Sequence, residues 1–334
     1  MRRGQHGLVH PLSALAPALR RWFTARLGAA DQVVLDGPQR ITVGHSRAML
    51  AVRVGLPEGS REYVLRVEQG GVFGTESLKE VRLMRALRAA GLPVAPVRWY
   101  ERDPSVVGAP FFVMDRIRGR GENPQLGSIR ELVRLLQRQH ELDWRSAGLG
   151  FLDPPATPRA ATLGQIDRWE SIYREARFLP VPLLDEAAAW LRRHAPPPRR
   201  IALVHGDPGP GNYIYEGDRI QAITDWEFAH LGDPDEDWVY MATIRGAAMS
   251  REEWQTLFKT EAGVEISDRA WRFWDVFNQF KGACANLTAL RLFSDGVNQA
   301  PNMVAVGTSI QLLLQSRMAE LIGQDREGEE GNGT

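Results

Sequence analysis

A chain of 334 residues is long for one core and points to two lobes or domains. Hydrophobic content of 43% and charged content of 25% are ordinary for a globular protein, and zero net charge leaves no global basic footprint for nucleic acid or a membrane surface. The single cysteine, Cys284, excludes an internal disulfide and a thiolate zinc cluster and fits a cytoplasmic location, and no run of 18 apolar residues is present.

The opening MRRGQHGLVHPLSALAPALRRWF carries early arginines, but His10 and Pro11 interrupt its apolar part and Arg20 and Arg21 follow. It reads as a helix rather than a signal peptide. Leu12, Leu15, Leu19, Trp22, Phe23 and Leu27 fall at helical spacing and stop before Gly28. Residues 1–30 are therefore expected to form an amphipathic helix packing on the body of the protein.

From Gln39 to Val67 the pattern changes to strands. Ile41 to Val43, the turn Gly44-His45-Ser46 and Ala48 to Val54 read as strand, tight turn, strand, and Arg61 to Glu68 reads as the next strand. Thr75 to Ala90 reads as a helix closed by Gly91 and Pro93. Glu80, Leu83, Met84 and Leu87 share one face, so Glu80 is a carboxylate on an apolar stripe and needs a partner. Arg66 is the distant candidate; a capping box over Ser77-Leu78-Lys79-Glu80 is the local one. Val97 to Glu101 and Pro110 to Ile117 read as further strands, and Gly119 to Gly127 as a loop and lobe boundary.

Ser128, with Glu131 three residues on, reads as a capped helix start; Ile129, Leu132, Val133, Leu136 and His140 keep its phase. His140 reads as a satisfied core histidine. Pro154 to Pro158 reads as a linker, Gln165 to Trp169 as the start of a helix, and Leu183 to His194 as another, ended by Pro196-Pro197-Pro198. Helices are expected over Arg251 to Lys259, Asp268 to Arg291 and Met303 to Ile322, and the polar, Gly-rich stretch from Asp325 to Thr334 is expected to be disordered.

The chemistry gathers in Ile201 to Asp225, IALVHGDPGPGNYIYEGDRIQAITD. Ile201 to Val204 reads as a short buried strand ending in His205-Gly206-Asp207, and Asn212 follows five residues after Asp207. Tyr213 to Tyr215 and Arg219 to Thr224 flank a Gly-containing turn and read as a hairpin. Because a hairpin folds back, Asp225 can lie beside Asn212 and Asp207. Three oxygen-bearing side chains at strand ends suit phosphoryl transfer, in which an Asp accepts a hydroxyl proton and an Asn and a second Asp hold Mg²⁺ against phosphates. The competing reading of each residue alone is a turn or backbone cap.

LVHGDPGPGNYIY, followed by ITDWEFAHLGDPDEDW, resembles the aminoglycoside phosphotransferase and choline kinase superfamily, and most of all its branch of kinase-like domains associated with acyl-CoA dehydrogenases. The resemblance covers roughly residues 10 to 320. It implies an α+β, protein-kinase-like, two-lobed fold with a small antiparallel-sheet N-terminal lobe (31–117) and a larger, mainly helical C-terminal lobe (118–322), followed by a tail (323–334). It implies Asp207 as catalytic base, Asn212 and Asp225 as metal ligands for Mg²⁺, and His205 as a loop-ordering residue, with ATP or GTP as co-substrate.

Around these residues the resemblance assigns further roles. Gly44, His45 and Ser46 stand where the superfamily has a GG-x-SN phosphate loop, from which this chain departs at two positions. Arg66 stands where kinases place a Lys, paired with Glu80; the acyl-CoA-dehydrogenase-linked branch also tends to show Arg there. PFFVMDRI resembles the strand that joins the lobes, with the backbone of Val113, Met114 and Asp115 meeting the adenine edge. Asp237 matches the last Asp of GDPxxDL, which braces the catalytic loop, with Trp238 departing from Leu.

The expected function is transfer of a terminal phosphoryl group from ATP or GTP to a small-molecule hydroxyl, with no nucleic-acid or membrane partner. An aminoglycoside acceptor calls for a strongly acidic wall, and Glu252, Glu253, Glu261, Glu265 and Asp268 form only a modest acidic group. The alternative is a nucleotide-sensing pseudokinase or scaffold, motivated by the missing strand Lys and altered glycine loop. A metallophosphoesterase would need an upstream Asp-x-His that the chain lacks, and neither a P-loop nor a dinucleotide-binding fingerprint is present.

Overall fold

The computed structural model describes residues 12–28, 33–43, 47–68, 77–178, 180–196, 198–244, 249–297 and 301–330. The chain divides into two units, Met1–Arg118 and Gly119–Thr334.

The first unit runs α1 (Leu12–Leu27), β1 (Val34–Val43), β2 (Arg47–Leu56), β3 (Gly59–Glu68), α2 (Ser77–Ala89), β4 (Val97–Glu101) and β5 (Phe111–Asp115). Its strands form one antiparallel sheet in the order β1-β2-β3-β5-β4. Side chains alternate between the two faces of such a sheet. Leu50, Val52, Val54, Tyr63, Leu65, Val67, Phe111 and Val113 pack with Leu15, Leu19, Trp22 and Phe23 of α1 in one buried cluster. Each large apolar side chain so buried contributes about 1.5–3 kcal/mol, which binds α1 to this sheet as the leucine spacing predicts. Trp22 Nε1 donates to Glu101 Oε2 at 2.8 Å, and Arg26 pairs with the same oxygen at 2.8 Å. The Trp22 bond first, then the Asp103 N–H donated to Glu101 Oε1 at 3.0 Å, and then Arg26 hold the Glu101 carboxyl down at about 2. The residues between, Val64, Arg66, Phe112 and Met114, take the opposite face, and α2 packs on β4 and β5.

The second unit contains α3 (Leu126–Glu141), α4 (Pro158–Ala176), α5 (Pro182–His194), β6 (Ala202–Val204), β7 (Tyr213–Glu216), β8 (Arg219–Ile223), β9 (His230–Gly232), α6 (Asp235–Thr243), α7 (Arg251–Ala262) and α8 (Asp268–Ser294). It closes with α9 (Pro301–Ala305), a π-helical turn over Val306–Ile310 and α10 (Gln311–Glu330). β6 pairs antiparallel with β9, and β7 with β8 as the predicted hairpin. α8 is apolar around most of its circumference because α4, α5, α6 and α10 all pack on it.

Three local expectations are corrected. α3 starts at Leu126, ahead of Ser128; Ser128 Oγ donates to Gln125 O at 2.8 Å, and Glu131 accepts the Ile220 N–H of the hairpin instead of closing a capping box. α4 starts at Pro158 rather than near Gln165, because Thr157 Oγ1 caps Ala160 N at 3.1 Å and a proline suits the first helical turn. The tail expected to lack structure from Asp325 continues as helix to Glu330, through residues that, apart from Gly328, are compatible with helix.

Candidate active site

Arg66 and Glu80 meet in the first unit. β3 alternation turns Arg66 toward α2, and its Nη1 lies 2.9 Å from Glu80 Oε1 with both side chains buried. Of the two partners open to Glu80 in the sequence, the structure forms the distant one. Gly44, His45 and Ser46 lie outside the described residues. Val113 and Met114 occupy an interior strand, paired with β3 on one side and β4 on the other. Asp115 N donates to Pro96 O at 3.0 Å and Arg116 N to Glu62 O at 3.1 Å. The Asp115 carboxylate is held by Arg98 through bonds of 2.7 and 2.6 Å.

In the second unit, β6 delivers His205-Gly206-Asp207. Gly206 has φ +85°, and a Cβ there would stand 2.9 Å from Phe228 O, so glycine is the residue the turn accepts. Asn212 Nδ2 donates to Asp207 Oδ2 at 2.8 Å and to Asp207 O at 2.9 Å. Two acceptors facing one nitrogen fix the amide orientation and turn the hard oxygen of Asn212 away from Asp207. Thr224 N donates to Asn212 O at 2.8 Å, so Asp225 starts from the residue hydrogen-bonded to Asn212. His205 Nε2–H donates to Thr224 O at 2.9 Å, which leaves Nδ1 to accept the Asp207 N–H at 3.2 Å. One imidazole therefore ties the Asp207 loop to the Asp225 loop. Asp225 itself is left-handed, at φ 65° and ψ 58°, a conformation costly for a non-glycine residue and concentrated at functional sites.

Beneath this loop lies a buried acidic brace. Asp237 Oδ2 accepts His205 N and Oδ1 accepts Gly206 N, both at 2.8 Å. His140 Nε2 donates to Asp237 Oδ2 at 2.9 Å, and Gln139 Nε2 donates to Leu203 O at 2.9 Å. Burial pushes the Asp237 carboxyl up, but the hydrogen bond and charge of His140 and the contacts of His205 outweigh it and hold the group below its usual range. The core-histidine reading of His140 holds, and its partner turns out to be the brace itself. Asp233 Oδ1 caps α6 by accepting Asp235 N at 3.0 Å. Burial, then the neighbouring Asp235, pushes Asp233 up to about 7.

Sequence reasoning missed a second support. Lys281, buried in α8, donates to Gly206 O at 2.6 Å and to Glu236 Oε1 at 2.7 Å. His230 Nε2 lies 3.2 Å from Glu236 Oε2. The available signal was Lys281 itself, one of three lysines, set among apolar residues in FNQFKGACANL.

Oxygen donors from one carboxamide and one carboxylate, on loops tied together at the end of β6, suit a small hard cation that takes most of its ligands from phosphates and water. The phosphotransferase enzyme family model matches residues 40–275. Acyl-CoA dehydrogenase family member 10 of Mus musculus is 31% identical over 243 residues, covering 67% of this chain and 22% of that protein. Acyl-CoA dehydrogenase family member 11 of Gallus gallus is 32% identical over 201 residues, covering 55% of this chain and 25% of that protein. The chain thus spans about a quarter of the length of these two relatives. Among solved structures, one from Ralstonia eutropha, described provisionally as an aminoglycoside phosphotransferase, aligns at TM-score 0.68 and 22% identity, covering 92% of this chain and 98% of that one. Choline kinase LicA from Streptococcus pneumoniae aligns at TM-score 0.62 and 13% identity, covering 90% and 99%. These likenesses establish the kinase-like two-lobed α+β fold, and the match over residues 40–275 establishes that the chain belongs to the phosphotransferase enzyme family.

Proposed function

We propose that the protein transfers the terminal phosphoryl group of ATP or GTP to the hydroxyl of a small molecule. The observation that carries this reading is the Asp207–Asn212 contact, with Asp225 fastened to it through Thr224 and His205. In the proposal the Asp207 carboxylate accepts the acceptor's hydroxyl proton as that oxygen attacks. Asn212 holds Asp207 in position through its amide nitrogen while its oxygen, with Asp225, would hold Mg²⁺. The cation would neutralise charge on the phosphates. Arg66, steadied by Glu80, would bind phosphate oxygens in place of the usual lysine, with the planar fork that suits them. Positioning and charge stabilisation supply most of the rate in such transfers.

A polycationic acceptor finds little support in the acidic residues of the helical unit. Glu261 pairs with Arg134 and lies 3.6 Å from Arg130, Glu265 pairs with Lys259, and Asp268 with Arg251. Glu253 closes a capping box on Ser250. Hydroxylated acyl compounds therefore head the acceptor screen, given the acyl-CoA dehydrogenase names of the relatives. The test is calorimetric titration of ATP and GTP with and without Mg²⁺ against wild type and Asp225→Ala, followed by an ADP-release screen over hydroxyacyl compounds, choline-like alcohols, macrolides and aminoglycosides. Mg²⁺-dependent binding lost in the variant is expected. Absence of binding to either nucleotide would replace this reading with a scaffold.

A further inference from the structure

We propose that Lys281 is a positioning residue that locks the peptide group joining Gly206 to Asp207, and so sets the direction in which the Asp207 carboxylate points. The inference rests on the role proposed for Asp207. Gly206 has no side chain and a positive φ, so the peptide plane that follows it can rotate at small steric cost. That plane carries the Asp207 N–H on one edge and the Gly206 carbonyl on the other. A rotation would swing the Asp207 side chain away from whatever it serves.

Both edges are held. The N–H is bonded to His205 Nδ1 at 3.2 Å, a long contact. The carbonyl accepts from Lys281 Nζ at 2.6 Å, a short, charge-assisted bond and much the stronger restraint. The ammonium is 4% exposed as a residue, pairs with Glu236 at 2.7 Å and lies 4.5 Å from the centre of the Tyr240 ring. Carbonyl, carboxylate and ring face meet its donors and its charge.

The placement argues for a role beyond stability. An ion pair between α6 and α8 would be complete with Lys281 and Glu236 alone, and buried pairs of this kind are often no more stabilising than apolar residues. Here the lysine spends a donor on a main-chain carbonyl of the loop that carries Asp207. Glu236 is followed in sequence by Asp237, whose carboxylate takes the Gly206 N–H on the other side of the same glycine. Three consecutive main-chain groups, Gly206 N–H, Gly206 C=O and Asp207 N–H, are thereby held by Asp237, Lys281 and His205.

The experiment compares wild type, Lys281→Met and the double variant Lys281→Met/Glu236→Gln, all as the full chain. The single variant strands a buried carboxylate beside His230 and can fail to fold; the double variant removes both charges and keeps the volumes. Two readouts are taken at matched thermal midpoint. One is hydrogen exchange of the Asp207 amide by NMR, referenced to amides of α8; the other is the split between kcat and the nucleotide KM. A working lock predicts exchange at Asp207 faster by about tenfold or more in the double variant. It also predicts kcat lower by about 10–100-fold with KM unchanged, the effect of a misaimed group. A double variant with wild-type exchange and wild-type kcat overturns the inference and reduces Lys281 to an ion pair. If the wild type turns over no acceptor at all, the phosphotransferase reading fails by itself, and the exchange rate still decides the lock.

Discussion

Asp237→Asn isolates the brace with the loss of one charge and almost no volume. In the wild type the carboxylate accepts His205 N and Gly206 N at 2.8 Å and His140 Nε2 at 2.9 Å. The amide keeps one oxygen, which can serve Gly206 N; that bond falls from charge-assisted to neutral, a loss of about 1 kcal/mol. Its nitrogen then faces the His205 N–H, donor against donor, and an unpaired buried amide costs about 1–3 kcal/mol. The His140 contact survives, because its ring can exchange tautomers and accept at Nε2. Relief of the buried charge works the other way. That the carboxyl is held below its usual range shows the partners outweigh burial at this position. The expected net loss is about 2–4 kcal/mol. Urea unfolding of the full chain, followed by tryptophan fluorescence, measures it as a lower midpoint at unchanged slope. Trp238, whose ring lies 5.0 Å from His140, and Trp226, 4.5 Å from His205, both border the brace. A loss under about 0.5 kcal/mol, the size of an ordinary surface substitution, would refute the claim that Asp237 satisfies these backbone groups.

Asp207→Asn is expected to abolish phosphoryl transfer while leaving the unfolding midpoint within a few degrees of wild type; transfer surviving in an ADP-release assay would remove Asp207 from the role of base. Arg66→Met strands buried Glu80 and should cost about 3–5 kcal/mol by denaturant titration, whereas Arg66→Met/Glu80→Leu recovers most of that stability but not nucleotide affinity. Glu101, whose folded carboxyl is held at about 2, contributes stability present above its unfolded range and lost as pH falls from about 4.3 toward 2. Glu101→Gln should flatten that acid limb, and an unchanged limb would dissociate Glu101 from acid stability. Asp233 has the opposite sign: raised to about 7, it binds its proton more tightly in the folded state, so stability falls as pH rises from about 4 to 7. Burial also pushes Asp235 up, so Asp233→Asn, which keeps an oxygen to cap α6, should reduce that slope without abolishing it, as pH-dependent thermal melts would show.

What the sequence determined by itself was whatever depends on short-range order. The leucine spacing of α1, the alternation of β2 and β3, the Gly-containing hairpin and the step of five from Asp207 to Asn212 all express periods or turn chemistry that a few neighbouring residues impose. The kinase-like fold was legible through the resemblance that LVHGDPGPGNYIY and ITDWEFAHLGDPDEDW carry, not through those local signals by themselves. Helix starts were read less well, since Ser128 and Glu131 carry the letters of a capping box while the β7–β8 hairpin claims Glu131 for its own N–H. The Arg66–Glu80 pair and the bracing role of Asp237 were implied by the resemblance. Only tertiary structure decided which groups Asp237 holds, the backbone N–H groups of His205 and Gly206, and that Lys281 reaches Gly206 O across 75 positions of chain. A buried charge must be paired, but the pairing partner is set by which elements pack together. No local pattern encodes that choice, and it is where the site acquires its aim.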